Sequence, residues 1–264
     1  MADVITARSL ELHEVETRFG LYQSLDPTFF PEWQGVAVNL DERDCYWLDK
    51  AKSNFLSLIK YRLHEEVVKL AILAPLLTVS GLGSAPFVPK AEKQIEITFP
   101  NPETDASNEM IRGRIDLLVL CRNLWVVTIE TKPQQSDVLE ALPQALTYMM
   151  ANSEPAHPLF GLLTNGRHFM FVKLARQEQP TYGLSELFTL FRQGNELYQV
   201  TAVLQRLGQL VMQLGWENQK VGFRFYGSFC LGLLGLQKFF GSISYGESID
   251  LWILSSFEFI LKKY

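Results

Sequence analysis

The sequence predicts an α/β fold with a mixed central sheet flanked by helices. Three observations lead there. Segments of helical periodicity alternate with short strand-like runs in the order helix, three strands, helix, two strands, helices, which suits neither a bundle nor a sandwich. Two of the strand pairs are separated by tight-turn signals, around Arg122-Asn123 and at Thr164-Asn165-Gly166, so each reads as an antiparallel hairpin. Finally, 264 residues with 47% hydrophobic and 20% charged content are enough to close a sizeable core in one or two domains.

The first 50 residues mix helical and loop signals, interrupted by Pro27 and Pro31, and read as a lead-in around a later core. From about Lys50, apolar residues at Phe55, Ile59, Leu63, Val67, Leu70 and Ala74 recur every three or four positions, predicting one helix that ends at or near Pro75. Gly81, Gly83 and Pro86 mark a loop, and Lys93 to Phe99 alternates as a half-buried strand. A polar turn over Asn101 to Asn108 precedes the hairpin of Arg114 to Cys121 and Trp125 to Thr131. Pro133 to Ser136 breaks that strand, Val138 to Met150 returns to helical spacing, and Phe160 to Leu163 with Phe169 to Leu174 forms the second hairpin. Leu184 to Leu214 reads as two helices broken near Gly194-Asn195. In the last 44 residues, Val221 to Tyr264, 11 are aromatic and seven charged, which reads as a capping segment, a partner surface or a membrane-associated tail.

Charge narrows the function classes. The formal net charge of −5 excludes a generally basic nucleic-acid coat, although a cleft built on carboxylates supplies negative charge of its own. Cys45, Cys121 and Cys230 lie far apart without CxxC spacing, which implies neither a disulfide framework nor a zinc knuckle. The N-terminus has no basic region followed by an apolar run, and the charge-free stretch Phe225 to Gln237 is shorter than the roughly 20 residues that cross a bilayer. A cytoplasmic protein without a membrane span is expected. His13, His64, His157 and His168 show no ligand spacing. With no GxxxxGK[ST] and no GxSxG, neither ATP hydrolysis nor a serine nucleophile is supported.

The chemistry-bearing constellation is Asp116 near the start of one hairpin strand and Glu130-Thr131-Lys132 at the end of the other. Alternation puts Glu130 and Lys132 on one face, and the hairpin puts Asp116 beside Glu130 across the ladder. Asp116 interrupts an apolar run and Glu130 closes another, positions where charge is costly unless paired or metal-bound. Two carboxylates with open positions suit Mg²⁺, with Mn²⁺ as a substitute, and a neighbouring Lys132 suits the handling of water and of phosphoryl charge. The bland alternative makes Asp116 a turn residue or a partner of Arg112 or Arg114. Gln144 and Tyr148 share a face of the following helix and can overlook the site, or simply form a polar edge on a core helix. On the first helix, Glu65 or Glu66 can supply a third carboxylate, or Glu65 can pair with Lys69 one turn on.

These residues carry a resemblance. Gly113-Arg114-Ile115-Asp116, Ile129-Glu130-Thr131-Lys132, Gln144 to Tyr148, and Glu65 ahead of Val68-Lys69 together resemble the PD-(D/E)XK nuclease superfamily. Over roughly residues 53 to 175 the chain is similar to the N-terminal nuclease domain of type I restriction enzyme R subunits. The resemblance implies a restriction-endonuclease-like core in which Asp116 and Glu130 bind Mg²⁺ and Lys132 assists the attacking water. It further implies that Glu65 supports the metal and that Gln144 with Tyr148 shapes the DNA-cleavage site. Ile115 stands where the family nominally has Pro, and the translocase of a type I subunit is absent from this sequence.

The expected organisation is a lead-in over 1–52, a nuclease-like core over 53–175, a helical extension over 176–220 and an aromatic tail over 221–264. The expected function is Mg²⁺-dependent DNA endonuclease, a hydrolase of restriction-modification type. Its partner is DNA, with room for restriction-modification or other protein subunits and an open oligomeric state. The alternatives are a structure-selective resolvase and a non-catalytic module on the same fold that binds nucleic acid or protein.

Overall fold

Helices cover both faces of a mixed sheet, as the alternation of elements predicts. The computed structural model describes residues 4–100, 108–122, 124–152, 157–176 and 179–214, all within the unit Met1–Trp216. The expected polar turn after Pro100 and the aromatic tail from Val221 lie outside the described residues.

The elements are β1 (Val4–Thr6), α1 (Leu12–Phe19), β2 (Tyr22–Gln23), α2 (Glu42–Leu58), α3 (Glu65–Val68) and α4 (Ala74–Val79). They continue with β3 (Phe87–Pro100), β4 (Asn108–Cys121), β5 (Leu124–Thr131), α5 (Leu142–Met150), β6 (Leu159–Thr164), β7 (His168–Arg176), β8 (Pro180–Leu184) and β9 (Phe188–Thr189). A last helix, α6, is described over residues 197–214. Among the described residues the sheet runs β1-β4-β5-β6-β7-β8-β2, with β3 also on β4 and β9 on β7. Both expected hairpins form: β4 with β5, and β6 with β7, are antiparallel, whereas β5 and β6 are parallel.

Alternation sorts the sheet's side chains onto two cores. Val119 and Cys121 pack with Phe55, Ile72, Leu76 and Leu204 on the side of α2, α4 and α6. Leu118 and Leu120 pack with Val15, Leu142 and Leu146 on the side of α1 and α5.

Four expectations need correction. The apolar repeat from Phe55 to Ala74 is two helices, because α2 stops at Leu58 and α3 starts only at Glu65. Pro75 does not end its helix. It sits in the first turn of α4, just past a π turn over Lys69–Leu73 that joins α3 to α4. A widened turn accommodates the missing N–H that would otherwise break an α-helical ladder. The N-terminal lead-in contributes strands: β1 pairs in parallel with β4, and β2 with β8. Leu184 to Gly194, read as helical, instead carries the end of β8 and the short β9, leaving α6 as the helix that follows. The apolar spacing there serves pairing on β7.

The β4 strand creates the gap in which the site lies. β3 occupies one edge of β4 along its whole length, so β1 and β5 share the other edge. β1 pairs with Met110 to Arg112 and β5 with Leu117 to Cys121. Gly113 to Asp116 pair with neither, which leaves a notch in the sheet between the end of β1 and the end of β5.

The Asn165-Gly166 turn closes the β6–β7 hairpin with Gly166 at φ 85°. A Cβ at Gly166 would collide with the Phe55 ring and crowd Val68. Gly166→Ala therefore combines left-handed strain with overpacking and is expected to cost about 2–4 kcal/mol, read as a lower urea midpoint. An unchanged midpoint would show that this turn does not hold α2 and α3 against the sheet.

Candidate active site

Where β4 and β5 part, their side chains take over the hydrogen bonding of the backbone. The last residues before the notch in register are Leu117 and Ile129, so Asp116 and Glu130 come next on the two strands. Asp116 Oδ2 accepts the Thr131 backbone N–H at 2.7 Å and the Thr131 hydroxyl at 2.6 Å. In return, the Asp116 backbone N–H donates to Glu130 Oε1 at 3.3 Å. Each carboxylate thus satisfies an N–H of the opposite strand.

The notch is roofed by α5. Arg114 N–H, without a strand partner on that edge, donates to Tyr148 Oη at 2.9 Å. Tyr148 comes so close that a Cβ at residue 113 would overlap its ring, which explains the glycine there. Lys132 and Gln144 are both buried: Lys132 Nζ donates to Gln144 Oε1 at 2.9 Å, and Gln144 Nε2 donates to Tyr148 Oη at 3.1 Å. The Lys132 backbone N–H is fixed by the Thr164 carbonyl of β6 at 2.8 Å.

A cleft of about 470 Å³ opens over this arrangement, with Asp116, Thr131, Lys132, Gln144 and Tyr148 in its wall. Glu130 has no exposed surface, and its Oε2 is buried without a hydrogen-bond partner among the described residues. Burial and the nearby Asp116 charge push the Glu130 carboxyl well above the usual carboxylate range, against the opposing pull of the Asp116 N–H, Lys132 and Lys69. Burial, with the Glu130 charge, raises the Tyr148 phenol to about 12, so it is a neutral hydrogen-bonding group at physiological pH.

Sequence reasoning missed what neutralises Asp116. Lys69 Nζ lies 3.2 Å from Asp116 Oδ1, 3.1 Å from Glu66 and 3.3 Å from Glu92. Burial alone would favour the neutral amine, but these three carboxylates overcome it and raise the Lys69 pKa. Glu92 enters because it faces Asp116 across the ladder: Ala91 is in register with Leu117 and Lys93 with Ile115, and between them Glu92, at φ 57°, leaves the ladder unpaired. Nothing in the alternating charges of that strand marks Glu92 in advance.

The bland pairings also differ from expectation. Arg114 pairs with Glu92 and Arg112 with Glu96, so neither is the partner of Asp116. Glu65 does not pair with Lys69. It lines the same cleft, with its Oε1 held by Arg8 at 2.7 Å.

Asp116 and Glu130 offer hard oxygen donors, one of them unpartnered among the described residues, which fits an ion such as Mg²⁺ that takes one or two carboxylates and keeps its waters. Among the described residues no group of three or more His, Cys, Asp or Glu side chains is gathered to hold a metal, so Glu65 stands apart from the pair.

No family model and no curated protein matches the chain. Among solved structures it is similar to a fragment described as an HsdR subunit of a type I restriction enzyme from Vibrio vulnificus YJ016, at a TM-score of 0.34 and 18% identity. That match covers 54% of this chain but only 26% of the other, and a likeness so slight carries no weight for function. Among the described residues no helix is long and apolar enough to cross a membrane.

The raised pKa of Glu130 has a consequence for stability. In the unfolded chain this carboxyl ionises near its ordinary value of 4.5, whereas in the fold it holds its proton longer. Its contribution to stability is therefore fully present below that value and is lost as pH rises through the folded-state pKa. Glu130→Gln, which cannot ionise, is expected to melt within a degree of wild type near pH 4.5 in EDTA. Its lead should grow towards pH 8, at about 2–4 °C for each kcal/mol. A difference that does not change with pH would count against a buried, charge-strained Glu130.

Proposed function

We propose that this cleft hydrolyses phosphodiester bonds of DNA with Mg²⁺, Mn²⁺ substituting. What carries this reading is the pairing of a partly buried Asp116 with a fully buried Glu130, one of whose oxygens is unpartnered among the described residues, beside a buried Lys132 held in place by Gln144. Two ionisable groups withdrawn from water, Glu130 and Lys132, beside a third at one notch are expensive as pure architecture and ordinary as a catalytic centre. The α/β sheet flanked by helices fits a restriction-endonuclease-like fold.

Asp116 and Glu130 would hold the metal. When bound, the ion polarises a phosphoryl oxygen and lowers the pKa of its water. Lys132 keeps donors beyond the one given to Gln144 and presents positive charge where the phosphorane becomes more negative. Gln144 and Tyr148 position that ammonium and exclude bulk water from its flank. Arg8, Arg112 and Arg114, paired at the cleft with Glu65, Glu96 and Glu92, can exchange those carboxylates for backbone phosphates. Glu65, released from Arg8, would then be available to support the metal. A restriction-modification context, with further protein subunits, belongs to this same proposal.

Two ion pairs favour the alternative of a non-catalytic binding module: Lys69 already neutralises Asp116, and Arg8 occupies Glu65. Cleavage assays separate the two. Supercoiled plasmid and labelled oligonucleotides should be cut with Mg²⁺ or Mn²⁺ and not in EDTA. Asp116→Ala, Glu130→Ala and Lys132→Ala should each lower the rate by about 10²-fold or more. Full cleavage by all three variants would overturn the assignment. DNA binding without cleavage under any divalent metal would favour the alternative.

A further inference from the structure

Away from the cleft, the outer face of α2 has a composition that the core does not explain. Its inner face, Leu48, Ala51 and Phe55, is buried. At about 100° per residue, Arg43, Tyr46, Trp47, Lys50 and Asn54 fall within roughly a third of the helix circumference and form one outward stripe. All five are exposed, and Tyr46 and Trp47 keep 55% and 53% of their surface in solvent. The two rings meet edge to face with centroids 5.8 Å apart, and Lys50 Nζ lies 5.7 Å from the Tyr46 ring.

The acids of α2 flank the stripe: Glu42 and Asp49 lie about 40° and 60° beyond Tyr46, and Asp44 about 60° beyond Trp47. Asp49 is turned to Asn195 and Tyr198 at 2.9 and 2.8 Å. Among the described residues the stripe cations, Arg43 and Lys50, have no carboxylate partner, in contrast to Arg8, Arg112 and Arg114 in the cleft.

The same chemistry continues past the helix end. Tyr61 is 55% exposed, Lys60 Nζ lies 5.2 Å from its ring, and Arg62 is exposed beside it. This connection runs directly into the cleft: Glu65 and Lys69 line it, and the Leu63 carbonyl accepts the backbone N–H of Gln134 at 3.1 Å, two residues beyond Lys132.

We infer that the face of α2 from Arg43 to Lys50, with Tyr61 and Arg62, is a binding track for single-stranded nucleic acid that leads towards the cleft. Exposed aromatic faces interleaved with cations that have no carboxylate partner among the described residues match a chain of stackable bases joined by phosphates. A paired duplex offers phosphates but hides its base faces, so Tyr46 and Trp47 would gain little from it. The α2 helix is about 25 Å long, the span of a handful of nucleotides. That the track feeds catalysis rests on the nuclease reading above, whereas binding does not.

The test is fluorescence anisotropy of labelled oligo(dT) of about 20 nucleotides, and of a duplex of equal length, with the full chain in EDTA at low salt. Wild type should bind oligo(dT) more tightly than duplex. Removing Tyr46 and Trp47 together by alanine should weaken oligo(dT) binding by roughly tenfold per ring and leave duplex binding nearly unchanged. Arg43→Gln with Lys50→Gln should weaken both ligands and flatten the salt dependence by about 0.7 log units for each phosphate no longer engaged. All of these side chains are exposed, so unchanged thermal melting is expected and serves as the folding control. The inference is overturned by wild-type oligo(dT) affinity in both double variants, or by no preference for oligo(dT) in the native protein, which would return the stripe to protein contact. If the native chain binds through the stripe yet never cleaves, the nuclease reading fails and the track stands. If it cleaves but the stripe variants bind and cleave single strands normally, only the track fails.

Discussion

The crossed pairing of two carboxylates with the backbone of each other's strand is the constraint on which the rest of the site depends. Past Leu117 and Ile129 the two strands need partners for the N–H groups of Asp116 and Thr131. Those partners are Glu130 and Asp116 themselves. Because the strands are tied by side chains here, the edge of β4 stays open from Gly113 to Asp116, and that opening is the floor of the cleft. The same tie carries Glu130 into the interior and fixes where the chain emerges at Lys132.

This solution is electrostatically costly. Among the described residues Glu130 retains a buried oxygen without a partner, next to the negative charge of Asp116. Lys69 relieves Asp116 but is shared with Glu66 and Glu92, and Lys132 is turned to the neutral Gln144. Unpaired buried charge of this kind ordinarily costs several kcal/mol, and functional sites are where such costs persist. Of the cations at the cleft, Arg8, Lys69, Arg112 and Arg114 are matched by acids, so on the nuclease proposal phosphate would have to compete for them, whereas Lys132 is turned to a neutral partner.

Much of this was legible in the sequence because it rests on local rules. Alternation placed Glu130 and Lys132 on one face, the short turn at Arg122-Asn123 placed Asp116 beside Glu130, and four-residue spacing placed Gln144 and Tyr148 together. Asn165-Gly166 announced its hairpin. What escaped depends on long-range pairing. No periodicity shows that Val4–Thr6 would complete the edge of β4, or that a left-handed residue would turn Glu92 towards Lys69. The helical repeat ran unbroken through residues 59–64, where the chain turns to meet Gln134, and Pro75 misled because a π turn absorbs it. Glu65 was readable as a cleft residue, but its capture by Arg8 was not, since 57 residues separate them.

If Asp116 and Glu130 form one divalent-metal site, the most direct measurement is titration of Mn²⁺ into the metal-free protein, followed by electron paramagnetic resonance of the free ion. One Mn²⁺ should bind per chain, be displaced by excess Mg²⁺, be lost in Asp116→Asn and in Glu130→Gln, and be retained in Lys132→Ala. Mn²⁺ binding of equal strength in wild type and both carboxylate variants, or none in wild type, would contradict a metal site at this pair.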